Sequence, residues 1–168
     1  MVPIKDLKEA DLFKTLNTKQ LQPFCKLFTE RKFETGEVIF LQGGQANNLY
    51  ILLEGEVTLA VKAKGEIDIT AELIQKKGET FGLPSLIKPY RNSVSATCNR
   101  RTTVLSVNAE VLRKLMKQNT NVGVVIMERV AEIFFSRLNS NRATITNLFK
   151  MFTVQTGKSK LMETYYEK

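Results

Sequence analysis

Ser85, Arg91, Asn92 and Ser93 lie close together in the chain, just after a Gly82-Leu83-Pro84 step. Hydroxyl, amide and guanidinium groups grouped in this way suit the binding of an anion. Pro84 fits the first turn of a helix, where its missing N–H costs nothing, and Ser85 can donate its hydroxyl beside the unpaired amides of such a turn. Asn92 and Ser93 add further polar groups. Arg91 is open to two readings, a clamp on a phosphate or carboxylate or a solvated loop arginine, and its own sequence context favours neither. Gly82 can let the backbone approach a ligand closely.

Other chemistries are poorly provided for. The chain has no histidine, which removes the commonest general base and metal ligand. Its aspartates are Asp6, Asp11 and Asp68, and no motif places a nucleophile beside a base or ends a Gly-rich loop in Lys-Ser/Thr. Cys25 and Cys98 are isolated and lack metal-ligand spacing, so they read as reduced, buried thiols. Catalysis, a metal site and a bound cofactor are therefore not expected. The net charge of +8 is spread over scattered lysines and arginines with no dense basic run. Such charge is usually solvated surface, although it also suits an anionic partner, and a small phosphate ligand needs only one or two of these cations.

The 168 residues, 43% of them apolar, suit one packed domain with appended helices. No apolar run approaches the ~20 residues of a membrane span. The start, Met1-Val-Pro-Ile-Lys-Asp-Leu-Lys-Glu, mixes both charges and lacks an apolar signal core, so a cytoplasmic protein is expected. Residues 1–30 read as short helices. Leu7, Leu12, Phe13 and Leu16 fall near helical spacing, and so do Leu21, Phe24, Leu27 and Phe28 after a cap at Thr18, with Pro23 shortening or kinking that second stretch. Residues 31–107 alternate short β-type runs with glycine turns. The runs are 38–41, 49–53, 57–61, 67–74, 93–98 and 102–107, and the turn glycines are Gly36, Gly43, Gly55, Gly65, Gly78 and Gly82. Val57/Leu59/Val61 and Ile67/Ile69/Ala71/Leu73 alternate with period two, so each of these strands should bury one face. Residues 108–152 read as two helices, the first capped by Asn108 and carrying Ala109, Val111, Leu112, Leu115 and Met116, the second starting near Asn121. In the second, Ala131, Phe134, Leu138, Asn141, Ile145, Leu148 and Phe152 repeat in threes and fours. This is a heptad seam with one polar member, which predicts a homodimer or a protein partner, set against simple packing onto the β-domain. Residues 153–168 read as a polar, flexible tail.

One set of residues ties these elements together: Phe33-Glu-Thr-Gly36-Glu37-Val-Ile39-Phe-Leu-Gln42-Gly43, then Ala46, Leu49-Tyr50-Ile51-Leu52 and Gly55, then Lys77-Gly78-Glu79-Thr-Phe81-Gly82. In order and spacing the set closely resembles the cyclic nucleotide-binding domain family, which includes catabolite-activator-type regulators, kinase regulatory subunits and gated channels. The resemblance covers roughly residues 20–140 and implies a mainly β fold with flanking helices. That fold is a double-stranded β-helix, the jelly-roll-like β-roll, with N-terminal helices and a long C-terminal helix. It also implies a pocket for a cyclic mononucleotide such as cyclic AMP or cyclic GMP, here drawn from Phe81, Gly82, Leu83, Pro84, Ser85, Leu86, Arg91, Asn92 and Ser93. In the family a glutamate directly after Phe-Gly accepts from the ribose hydroxyl, and an arginine of the following strand pairs with the phosphate. This chain departs at both positions. Leu83 stands at the glutamate position. Anchoring the strand on Val94 and Ala96 puts Tyr90, not Arg91, at the arginine position. Losing that acceptor should cost about 1.5–3 kcal/mol, roughly tenfold or more in affinity. Two functions follow: a sensor that takes a small anionic ligand and signals through the C-terminal helix, or a ligand-free β-roll retained as a dimerisation or interaction scaffold. A third is a transcription regulator; the residues after 152 are too few for a helix-turn-helix, so if this chain is complete DNA binding is not expected.

Overall fold

Among the described residues, eight short strands form where glycine turns cut the chain into apolar runs, and they assemble into two antiparallel sheets. The computed structural model describes residues 1–62 and 68–156, with the side chains of Asp68, Asn141 and 143–156 outside that description. One sheet has the order β1 (Thr29–Phe33), β8 (Thr102–Asn108), β3 (Asn48–Glu54) and β6 (Thr80–Phe81). The other has the order β2 (Val38–Phe40), β7 (Ser95–Cys98), β4 (Val57–Lys62) and β5 (Asp68–Ile74). Their apolar faces supply one core: Phe33, Tyr50, Leu52, Phe81 and Val104 from the first sheet, and Val57, Leu59, Ile74, Ala96 and Cys98 from the second. The expected mainly β roll with flanking helices is the fold observed.

The turns follow from backbone chemistry. Gly36, Gly43, Gly55, Gly78 and Gly82 all have positive φ, as their places between strands predict; Gly65 lies outside the described residues. Gly55 shows why. At φ 110 its added Cβ would stand 2.5 Å from the Thr102 hydroxyl and 2.6 Å from the Thr102 Cα, so only hydrogen fits.

The flanking helices correct several expectations. Helix α1 covers Ile4–Glu9 and stops short of Leu12, Phe13 and Leu16, which are buried from turns instead. The next helix, α2 (Thr18–Leu21), is capped by Asn17 and not by Thr18. The Asn17 side chain accepts from the Gln20 amide while the Gln20 side chain accepts from the Asn17 amide, a reciprocal box. Pro23 shortens the helix as expected, and a single 3₁₀ turn, Phe24–Lys26, follows. Phe13 packs on Phe24 and edge-on to Phe28, each with ring centroids 5.8 Å apart, giving the N-terminal segment its own aromatic core. Two strands also arise that the sequence did not announce, β1 and β6.

In β5 the predicted alternation fails: Ile69 is 56% and Leu73 38% exposed, whereas Ile74 is fully buried. A register shift between Leu59 and Ala60 in the β4–β5 pairing breaks the simple alternation, and β5 has no second neighbour in its sheet.

Asn108 caps α3 (Ala109–Gln118) as predicted, its side chain accepting from the Glu110 and Val111 amides at 3.0 and 3.2 Å. Replacing it by alanine (Asn108→Ala) should lower unfolding free energy by about 1 kcal/mol in a urea titration. A change below a few tenths would mean that the cap is not worth its geometry. Helix α4 runs from Thr120 to Thr156, through the residues at which the flexible tail was expected to begin. Two units result, residues 1–131 and 132–168, and α4 contributes to both. Within the first unit Arg129 donates twice to the Asp11 carbonyl, at 3.1 and 2.9 Å. Cys25 and Cys98 are buried, free thiols whose pKa values burial pushes up. Among the described residues no helix is long and apolar enough to cross a membrane.

Candidate functional site

The β3–β6 pairing sets the entrance to the candidate site. Tyr50 pairs with Phe81, and their rings stack at 5.1 Å with Phe40 completing the cluster at 6.0 and 6.3 Å. Burial pushes the Tyr50 phenol upward in pKa, opposed in part by a hydrogen bond from Asn48 and by the charge of Arg31. Tyr50 is therefore core packing, as its alternation along β3 suggests.

The chain then turns sharply. Gly82 adopts φ 76 as the N-cap of a 3₁₀ turn, Leu83–Leu86, with Pro84 in the first positions as predicted. A Cβ on Gly82 would stand 2.8 Å from the Asn48 carbonyl oxygen, so the close approach this glycine permits is to the β3 backbone. Leu83 is fully buried. Of the amides expected to be free at this turn, Pro84 has none and the Ser85 N–H donates to the Gly82 carbonyl at 3.0 Å. The Ser85 hydroxyl is different: it is fully buried and has no hydrogen-bond partner among the described residues.

Arg91, Asn92 and Ser93 are positioned by a second turn. Asn92 exchanges backbone hydrogen bonds with Gly43 and Gly44 at 2.7 and 2.9 Å, and its buried side chain donates to the Leu41 carbonyl at 3.4 Å. Arg91 forms an isolated bridge with Gln45 and donates its Nη1 to the Gly43 carbonyl at 2.8 Å. Arg91 is exposed, Ser93 is exposed, and β7 begins only at Ser95. The Ser95 hydroxyl accepts from the Gln42 amide at 3.0 Å. The expected residues thus fall on two separate turns, 82–86 and 91–93.

A residue outside the expected set reaches the first of these turns. Arg113 on α3 donates its Nη1 to the Ser85 carbonyl, and its guanidinium carbon lies 4.2 Å over the Tyr90 ring. Tyr90 itself holds φ 57, in the left-handed region. Beside this contact a groove of about 580 Å³ runs between the turn and the α3–α4 junction, lined among others by Leu86, Tyr90, Arg113, Met116, Val124 and Met127. Gly123 lets the two helices meet there, since a Cβ would stand 2.6 Å from the Met116 carbonyl oxygen. The sequence signal for Arg113 is faint: it is one arginine in an amphipathic helix, 28 residues from its partner.

Comparison with known proteins agrees with the fold. Residues 30–119 match the cyclic nucleotide-binding domain family, more than half of the chain. A crystal structure from Geobacter metallireducens, described as a candidate cyclic nucleotide-binding protein, superposes with TM-score 0.72 at 33% identity, covering 82% of this chain and 99% of that one. The Thermus thermophilus cyclic AMP receptor protein is 28% identical over 130 residues, 75% of this chain and 60% of that protein. A potassium channel-type protein of Rhodopseudomonas palustris is 26% identical over 111 residues, 66% of this chain and 26% of that protein. The chain therefore spans less than two thirds of these curated relatives. It belongs to the cyclic nucleotide-binding domain family.

Proposed function

We propose that this chain is a sensor module whose roll takes a small anionic ligand, a cyclic nucleotide or a relative of one, at the segment 81–93 and signals through α4. The observation that carries the reading is the Ser85 hydroxyl, buried on the turn after Phe81-Gly82 without a partner. A buried polar group left unsatisfied costs about 1–3 kcal/mol, a cost that a ligand oxygen would relieve. The relative named as a cyclic AMP receptor makes cyclic AMP the first ligand to try. Calorimetric titration with cyclic AMP and cyclic GMP is expected to give binding about tenfold or more weaker than in a site that keeps the ribose acceptor, because Leu83 offers none. No heat from either nucleotide would rule out the cyclic-nucleotide form of the proposal.

The alternative, a ligand-free scaffold, has its own support. Leu83 is wholly buried, the Ser85 amide is already paired, and the Arg91 guanidinium is committed to Gly43. In both readings α4 mediates self-association. Phe134, Phe135 and Leu138 are 37%, 65% and 54% exposed, more apolar surface than a solvated helix ordinarily carries. The rest of the heptad seam, Asn141, Ile145, Leu148 and Phe152, lies outside the described side chains. The double variant Phe134→Glu, Leu138→Glu should convert a species of twice 19.1 kDa into the monomer in light scattering. A wild-type protein already monomeric at high concentration would remove the dimer from both readings.

A further inference from the structure

A guanidinium lies against the Tyr90 ring. That guanidinium is Arg113, which comes from α3, 4.2 Å above the Tyr90 ring, and also donates to the Ser85 carbonyl. Arg113 is half-buried, and no carboxylate pairs with it among the described residues. A guanidinium has five N–H donors in a planar fork, and a flat aromatic platform holds that plane in place. With one Nη1 on Ser85, other donors remain for an anion. Arg91, by contrast, is exposed and bonded to the turn that holds Gly43.

We propose that Arg113, and not Arg91, is the anion clamp of this module. Its ligand is an organic anion with an apolar or aromatic body, the charged end on Arg113 and the body along Leu86, Met116, Val124 and Met127. The inference rests on the sensor reading above and deepens it. The second, independent observation is the groove itself, whose Leu86, Met116, Val124 and Met127 give an apolar wall beside the Arg113 guanidinium. Lys117 lines the same groove one helical turn beyond Arg113 and adds a second cation. Glu128, exposed on α4 and lining the groove too, disfavours a ligand with a second negative charge. A cyclic mononucleotide has one negative charge and an aromatic body. A medium-chain carboxylate has one negative charge and an aliphatic body.

The full chain would be titrated calorimetrically with cyclic AMP and, separately, with sodium octanoate, using wild type, Arg113→Gln, Arg113→Lys and Arg91→Gln. Thermal melts without ligand would be run alongside. The expected result is at least tenfold weaker binding of the preferred probe by Arg113→Gln, partial recovery by Arg113→Lys, and affinity within about twofold of wild type for Arg91→Gln. Which probe binds distinguishes a nucleotide from an aliphatic acid. Unchanged affinity in Arg113→Gln, with binding lost in Arg91→Gln, would overturn the clamp while leaving the sensor reading intact. Wild-type protein that binds neither probe would overturn both. If Arg113→Gln melts far below wild type, Tyr90→Leu replaces it, removing the platform but no charge. Weakened binding is then expected, and wild-type affinity would overturn the proposal.

Discussion

Truncating Phe81 to alanine is expected to lower the stability of the domain by about 3–5 kcal/mol, the range for removing a fully buried aromatic ring. The ring is completely enclosed, stacked on Tyr50 at 5.1 Å and 17° and tilted against Phe40 at 6.3 Å. Aromatic pairs in such arrangements contribute about 0.5–1.5 kcal/mol beyond the area they bury, which places this site toward the upper end of the range. Phe81 also lies on β6, a strand of only two residues that pairs with β3. Against a typical total of about 5–15 kcal/mol, the loss is a large fraction, and the melting temperature should fall by about 10 °C or more. Urea unfolding measures it directly, as a lower midpoint with an unchanged slope. Ile69, 56% exposed on the edge strand β5, provides the control: its truncation should change stability by no more than about 0.5 kcal/mol. A Phe81→Ala loss below about 1 kcal/mol would show that the stacked cluster is not the keystone of the roll.

The strands that could be read from the sequence were those whose turns demand glycine and whose apolar residues are numerous, such as 49–53 and 57–61. The missed strands lacked both signals. In β1, Thr29-Glu-Arg-Lys-Phe33, only Phe33 is buried, so the hydrophobic pattern has nothing to repeat. It is held by its five-residue ladder with β8, a long-range pairing that no local signal announces. In β6 two residues are too few for any period. In β5 a bulge after Thr70 puts Ile74, and not Leu73, on the core face, while Ile69, ahead of the bulge, is exposed on the edge strand. The cap at Asn17 was missed by one residue because threonine and asparagine both make good N-caps, and only the Gln20 side chain, three residues on, distinguishes them.

The candidate site was legible as a segment but not as a set of contacts. Gly82 and Pro84 announce a turn locally, and the turn is there. Arg91 announced a cation, yet its direction is set by the Leu41–Ala46 turn it pairs with, about 50 residues away in sequence. Arg113 carried only a faint local signal because its contacts depend on α3 packing against the 83–86 turn.

Installing a carboxylate at position 83 tests the site most sharply. Leu83 is fully buried, so Leu83→Glu removes roughly 2–3 kcal/mol of apolar burial and places a polar group in a dry setting at further cost. A total loss of about 3–5 kcal/mol is expected at neutral pH. The loss should depend on pH. Burial raises the pKa of the introduced carboxyl in the folded state above its unfolded value of about 4.3. Below that value both states are protonated and ionisation contributes nothing. As the pH rises, the unfolded chain ionises first and the folded state loses ground until its own raised pKa is passed. The variant should therefore lie closest to wild type near pH 4 and farthest at pH 7–8, as thermal melts across that range would show. Cyclic AMP then separates the two functional readings. If position 83 faces a ribose, as the resemblance implies, the nucleotide should bind the variant about tenfold or more tightly than wild type and restore part of the melting temperature. If the variant folds but gains no affinity, Leu83 faces the core and not a ligand, and the roll is better understood as the scaffold that carries α4.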